Sequence, residues 1–271
     1  MSRALPQAPI RSITDYIDRI KRLRRLWDVD DENDSVWFRG HLVVNWRLIP
    51  KLYRPEFKDS DEAEIRFQFQ SRALQLLENR RRPTTEWEWY FLMQHYGAPT
   101  RLLDWTDNPL VALYFALNDP RSGGPPPDQD AAVWVLNPAW LNRHLRQGID
   151  GAMLSDWVEA EPYLPDLENA FAGEEVRVHK AAAMDPPHVD RRLAAQGSRF
   201  VIFGRSRDLL RAKAARAQRG RRRQLAMIQI DRQAASTIRA DLELCGITRP
   251  LLFPDLEALC ADICRKSRRK D

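Results

Sequence analysis

Cysteine is scarce in this chain: three occur in 271 residues, at positions 245, 260 and 264. Cys260 and Cys264 are spaced to share one face of a helix, with side chains pointing outward rather than toward a common bridge. No disulfide framework is therefore expected, and a reducing cytoplasm is. Neither has a nearby histidine or third cysteine to complete a tetrahedral metal site, and His179 and His188 are too isolated to build one. Long apolar runs are missing too. No stretch approaches the roughly 18 apolar residues of a spanning helix, and the opening MSRALPQAPIRS lacks the unbroken apolar core of a secretory leader. The expectation is a soluble, cytoplasmic protein with no membrane partner and no metal. There is no Gly-rich phosphate loop ending in Gly-Lys-Ser/Thr, no His-Glu-x-x-His and no Gly-x-Ser-x-Gly, which argues against the nucleotidases, zinc proteases and hydrolases built on those motifs. No internal repeat is visible.

What is present is an apolar fraction of 44%, enough for a sizeable core, and 43 Lys plus Arg against 38 Asp plus Glu, a formal charge of +5. That mild excess tolerates a phosphate or nucleic-acid partner without demanding one. The length suits one domain with insertions, over residues 1–271. Residues 12–27, SITDYIDRIKRLRRLW, open with a Ser-x-x-Asp cap signal and carry Tyr16, Ile17, Ile20, Leu23 and Trp27 at helical spacing. VWFRGH (36–41) reads as a strand, residues 61–80 and 85–97 as helices, and 100–105 as a strand. A helix follows Asn108-Pro109, then strands at 131–136, 198–204 and 225–230 and a last helix near Pro254. The helix at 61–80 is expected to pack through Ile65, Phe69 and Leu76. NDPRSGGPPPDQD, near 119–130, predicts a flexible connector, and the acidic, Pro- and Gly-punctuated stretch near 147–190 an irregular excursion. Strands and helices mix without βαβ alternation, so the class is α+β, with a mixed or antiparallel sheet flanked by helices.

Two stretches concentrate chemistry. In VWFRGH, alternation puts Trp37 and Arg39 on one face and Phe38 on the other. An arginine in an apolar strand needs a carboxylate or phosphate for its fork of donors, so Arg39 reads either as the partner of a buried acid such as Asp104 or as an anion holder. The second stretch, QHYGAPTRLLDWTDNPLVALYFALND (94–119), crowds His95, Thr100, Arg101, Asp104 and Thr106 into a few turns of chain. Thr100, Leu102 and Asp104 fall on one strand face and Arg101, Leu103 and Trp105 on the other. Thr106, Asp107 and Asn108 all qualify to cap the helix at Pro109. Capping does not account for His95 and Tyr96 before a Gly-Ala-Pro turn with Arg101 and Asp104 after it. Such a cluster at a helix start can hold an anion. His95 fits equally a ring hydrogen-bonded inside the core.

WFRGH, QHYGAPTRLLDWTDNPLVALYFA, RLAAQGSRFVIFG and GITRPLLFPDLEAL together resemble the FRG domain family, named for the Phe/Tyr-Arg-Gly motif that here is Phe38-Arg39-Gly40, over roughly residues 12–265. The order of elements also resembles that of ADP-ribosyltransferases: an aromatic-Arg-Gly strand, a strand with Ser/Thr leading into a helix, and a third strand introduced by an acid. That second resemblance implies NAD as the cofactor, with Arg39 on its diphosphate or a ribose, and Thr100 or Thr106 in the Ser/Thr position. Gln196 falls at the position of the acid. A neutral amide cannot supply the negative charge that glycosidic cleavage calls for. Either Asp104 supplies it, or a nucleotide is bound without being cleaved, or the likeness is topological. The implied activity is NAD-dependent transfer or hydrolysis, as a toxin or phage-defence effector.

The run RSRDLLRAKAARAQRGRRR (205–223) holds nine Lys or Arg and one acid, and RKSRRK follows near the end. It reads as a solvated loop or as an arm for RNA or DNA phosphates. The absence of aromatics from it would make such binding sequence-independent. The expected site is thus a polar cleft of Arg39, His95, Arg101, Asp104 and Gln196, supported by Thr100 and Thr106, taking a nucleotide or another phosphorylated ligand. The alternatives are a non-enzymatic nucleic-acid-binding module and an interaction domain in which the cluster is structural.

Overall fold

A computed structural model describes residues 8–29, 35–58, 61–77, 82–118, 128–145, 163–164, 167, 178–185, 191–207 and 224–268. Its strands are β1 (Trp37–His41), β2 (Leu102–Thr106), β3 (Ala131–Leu136), β4 (Ala182–Met184), β5 (Ser198–Ile202) and β6 (Leu225–Ile230). They form one six-stranded sheet in the order β4-β5-β2-β1-β3-β6, with every neighbouring pair antiparallel. The fold is α+β. The helices are α1 (Ile13–Trp27), α2 (Asp61–Ala73), α3 (Glu86–His95), α4 (Pro109–Leu117), α5 (Pro138–Leu145), α6 (Arg191–Ala195), α7 (Ala235–Leu244), α8 (Arg249–Leu252) and α9 (Leu256–Arg268).

Local chemistry accounts for where the main helices begin. Ser12 caps α1 by accepting from the Asp15 amide at 3.0 Å, and Thr85 caps α3 by accepting from Glu88. Among the three candidates before α4, Asn108 is the cap. Its Oδ1 accepts from the Leu110 amide at 2.9 Å, ahead of a proline whose missing N–H costs nothing at that position.

Register divides the sheet into two faces. Phe38 pairs with Thr106 and Thr106 with Ser198, so Phe38, Gly40, Leu102, Asp104, Thr106, Phe200 and Ile202 share one face. At one end of it, Phe38, Val133, Val135 and Ile228 pack beneath α1, α4 and α7. At the other, Leu102, Phe200 and Ile202 pack against Trp87, Tyr90, Phe91 and Met93 of α3. The opposite face carries Trp37, Leu103, Trp105, Trp134 and Val201 against Leu48, Trp140 and Leu141. One face therefore carries two separate helical layers, with a gap between them over β1 and β2.

Gly40 sets how closely α4 lies on β1. A Cβ there would stand 2.2 Å from the Ala112 carbonyl oxygen and 2.4 Å from the Ala116 nitrogen, both backbone atoms of α4. No side chain can rotate away to relieve such an overlap.

The structure departs from the sequence expectations at several points. α2 ends at Ala73, and Leu76, expected at its core face, is exposed. The strand expected at 100–105 begins at Leu102. The helices α5 through α8 and the strand β4 were not foreseen; β4 lies inside the stretch expected to be irregular and pairs with β5. Most of the rest of that excursion, most of the connector near 119–130 and the basic run beyond Arg207 lie outside the described residues. Among the described residues no helix is long and apolar enough to cross a membrane.

The largest correction concerns Arg101, which belongs to the core rather than to a cleft. Its Nε donates to both Glu62 oxygens at 2.9 and 3.0 Å, Nη1 donates to the Phe203 carbonyl at 2.8 Å, and Nη2 donates to the Tyr163 carbonyl. The Tyr90 hydroxyl donates to Glu62 and accepts from the Arg101 amide. Burial works against the charge, but Glu62 beside it holds the guanidinium above its ordinary pKa.

Two stability predictions result. Gly40→Ala should destabilise the fold by on the order of 3 kcal/mol, the upper range for overpacking, because backbone must move. Arg101→Ala should cost about 3–5 kcal/mol, since it strands the Glu62 carboxylate. Urea denaturation followed by tryptophan fluorescence checks both, and a loss under about 1 kcal/mol in either would refute its premise.

Candidate functional site

The gap over β1 and β2 is a cleft of about 450 Å³. Its floor forms where the two central strands part. β1 pairs with β3 along all five of its residues, but with β2 only through Phe38 and Thr106. Beyond that pair, Arg39 takes the place of ladder hydrogen bonds, and its Nη1 donates to the Asp104 carbonyl at 2.6 Å. The same nitrogen stands 3.6 Å from Asp104 Oδ2. The ion pair expected between these two residues therefore exists, but it lines a cleft instead of being sealed in the core.

Asp104 is more exposed than buried and is held from a second side. Gln94, in the last turn of α3, donates through Nε2 to Asp104 Oδ1 at 2.8 Å, and its Oε1 accepts from the hydroxyl of fully buried Thr100. Thr100 thus sits behind the site: it fixes the orientation of the Gln94 amide, which in turn orients the carboxylate. Arg39 Nε donates to His41 Nε2 at 3.2 Å. Burial first, and the Arg39 charge second, push His41 down to about 3, so it is a neutral acceptor. Burial also lowers Arg39, with Asp104 opposing, and an arginine so shifted still carries its charge at neutral pH. Nη2 of Arg39 has no partner among the described residues.

The walls are aromatic. His95 and Tyr96 meet edge to face, with centroids 4.9 Å apart, where α3 ends, and Trp46 and Phe115 complete the lining. Tyr96 and Trp46 are each about half-exposed. Thr106 and Gln196 also line the cleft, and both are engaged. The Thr106 hydroxyl donates to the Gln196 carbonyl at 2.6 Å, and Gln196 Nε2 donates to the Leu252 carbonyl at 2.9 Å. Of the residues expected from sequence, the cleft brings together Arg39, His95, Asp104, Thr106 and Gln196, while Thr100 supports it and Arg101 lies elsewhere. Sequence reasoning missed Gln94, His41 and Trp46. Gln94 and His41 stand inside the two motifs already singled out, one at the end of a helix and one at the end of a strand. Trp46, in a loop with no pattern around it, carried no signal. Among the described residues no group of three or more His, Cys, Asp or Glu could hold a metal ion.

Residues 34–124 match the family model of the FRG domain. The match is narrower than the span suggested by the motifs, and it takes in β1, α2, α3, β2 and α4. An FRG domain is thus present, and it supplies Arg39, Gln94, His95 and Asp104, whereas Gln196 comes from outside it. No curated protein and no solved structure matches the chain.

His41 gives the site a pH signature. Unfolded His41 binds a proton below about 6.5, whereas the folded side chain does so only near 3, so its contribution to stability is complete above about pH 6.5 and is lost as the pH falls through that window. Relative to His41→Gln, which keeps an acceptor for Arg39, the wild type should lose roughly 1 kcal/mol of unfolding free energy per pH unit between pH 6.5 and 4. Parallel pH profiles for the two proteins would refute the assignment.

Proposed function

We propose that the cleft binds a nucleotide and that its chemistry is cleavage of the nicotinamide glycosidic bond of NAD, with transfer of ADP-ribose to an acceptor or to water. The observation that carries this reading is the juxtaposition on one cleft floor of a cationic fork with donors to spare and an oriented carboxylate, Arg39 and Asp104, between aromatic walls. The volume falls among small-molecule sites, which run from roughly 300 to 1,000 Å³. Arg39, through Nη2, offers two N–H donors to the diphosphate or a ribose hydroxyl. Tyr96, Trp46 and Phe115 supply flat apolar surface for a base or the nicotinamide ring. As the bond from the ribose C1′ to the nicotinamide nitrogen breaks, the bonding pair leaves with the neutral base and positive charge develops on the ribose. Asp104, held by Gln94, is the carboxylate placed to stabilise that charge. Among the described residues His95 is the imidazole of the lining, and on this reading its role is proton exchange with an acceptor.

Thr100 and Arg101 have no contact with the ligand on this reading. The nucleic-acid alternative rests on the basic run 205–223 and the RKSRRK cluster, and nothing in the cleft favours it. A role as toxin or phage-defence effector would follow from NAD consumption and stands or falls with it.

NAD, ADP-ribose and ATP should be screened by thermal shift. A ligand at 100 times its dissociation constant stabilises by about 2.7 kcal/mol. Asp104→Asn should lower nicotinamide release by at least about a hundredfold, the usual scale for losing an electrostatic contact made in the transition state, and leave NAD affinity within a few-fold. No release by the wild type in the presence of candidate protein and RNA acceptors would refute the enzymatic reading, and no stabilisation by any of the three would refute the nucleotide.

A further inference from the structure

The cleft is lined by a second arginine that the proposed chemistry does not use. Arg192 is partly buried on α6, the helix that leads into β5, and it lines the cleft together with Arg39 of β1. β5 and β1 are the two neighbours of β2, so the two cations come from elements on either side of the strand that carries Asp104. Arg192 is held in place by packing. Its Cζ stands 4.4 Å from the centroid of the buried Phe253 ring, which in turn meets Phe115 edge to face at 6.0 Å. The guanidinium is thus laid against an aromatic surface continuous with the wall that Phe115 gives the cleft. Contact with a ring occupies the face of a guanidinium, whereas its N–H donors lie in the plane and point outward at its rim. The backbone is tied down too, because the Arg192 carbonyl accepts from the Gln196 amide at 3.0 Å. Charge in the cleft is correspondingly lopsided. Asp104 is the one acid among the lining residues against these two arginines. Arg54, exposed and without an ion pair among the described residues, adds its positive field to Arg39 and His41.

We propose that Arg192 is a second phosphate-holding residue, and that the cleft selects a nucleoside diphosphate, free or esterified, with one phosphate on Arg39 and the other on Arg192. The inference rests on the nucleotide reading of the cleft and narrows it to ligands with two phosphates in series. Each guanidinium offers a planar fork that matches two oxygens of one phosphate. Two such forks on either side of β2 therefore suit a diphosphate lying across that strand, while a monophosphate engages one of them. Arg192 lies beyond the residues that match the FRG domain, so this selectivity is supplied by the part of the chain that follows it.

Isothermal titration of the whole chain with ADP-ribose, ADP and AMP tests this. The wild type should bind ADP at least about tenfold more tightly than AMP, the scale of one charged hydrogen-bonded contact. Arg192→Gln should reduce that preference to within about threefold. The ratio is the informative quantity, because a loosened cleft would weaken both ligands alike and leave it unchanged. If Arg192→Gln lowers the melting temperature, Arg192→Met, whose chain still covers Phe253 but carries no charge, should lose the preference in the same way. A wild type that binds ADP no better than AMP, or a variant that keeps the preference, would overturn the assignment of Arg192 while leaving the nucleotide reading intact. A wild type that binds none of the three would overturn both.

Discussion

The backbone contact between Gly40 and α4 is the constraint on which the cleft depends. Side-chain packing can usually relax by a rotamer change, but here strand and helix meet through carbonyl and amide atoms, so the separation is fixed by the chain itself. With α4 seated on β1 and α3 on the neighbouring cluster, the sheet face is roofed at both ends and open between them. Phe115 comes to one wall from α4, and Gln94 and His95 come to the other from the end of α3. The residue before Gly40 can then turn its side chain into the space where β1 and β2 have ceased to pair. The Phe-Arg-Gly triplet is three consecutive answers to one geometry: an aromatic for the core, a cation for the gap and no side chain where the helix lies.

Two arginines, Arg39 on β1 and Arg101 just before the neighbouring β2, show how differently the fold treats a partly desolvated cation. Arg101 meets two carboxylate oxygens and two carbonyls, so its fork is satisfied inside the protein. Arg39 is held at one edge by His41 and Asp104, while Nη2 faces no acceptor among the described residues. Desolvating a charge without completing its hydrogen bonds is costly. An incoming anion recovers part of that cost, and for this reason Arg39, rather than Arg101, is the cation suited to a ligand. Neutral His41 reinforces the difference, since it accepts from Nε without cancelling the charge that a second carboxylate would have neutralised.

Much of this was legible in the sequence because its signals were local. The alternation in VWFRGH put Trp37 and Phe38 on opposite faces, and the strand expected at 131–136 has those boundaries. Arg39 and Asp104 stand in two motifs that are dense in polar groups, and both line the cleft. What local pattern could not carry was partnership across the chain. Arg101 and Asp104 look alike in sequence, each a charge in an apolar strand. Only Glu62, 39 residues away on α2, decides that one of them is sealed in the core. Gln94 looked like an ordinary polar residue near a helix end, because its importance comes from Thr100 behind it and Asp104 in front. β4 is three residues of Ala-Ala-Met, too short for periodicity to register.

The neutral residue at the third strand is also explained by its surroundings. Gln196 Nε2 donates to the Leu252 carbonyl, tying the entrance of β5 to α8, and the Gln196 carbonyl accepts from Thr106. A glutamate there could not donate, and its negative charge would face a carbonyl oxygen, so the packing of this fold selects an amide at that position. On the proposed reading, the negative charge that glycosidic cleavage calls for has to come from another strand. Asp104 is one strand over, on the same sheet face as Thr106, and its carboxylate is braced by Gln94 and flanked by Arg39. On that reading, an amide just ahead of β5 that holds the scaffold and a carboxylate from β2 that meets the ligand divide between two residues what a single acid would otherwise have to do.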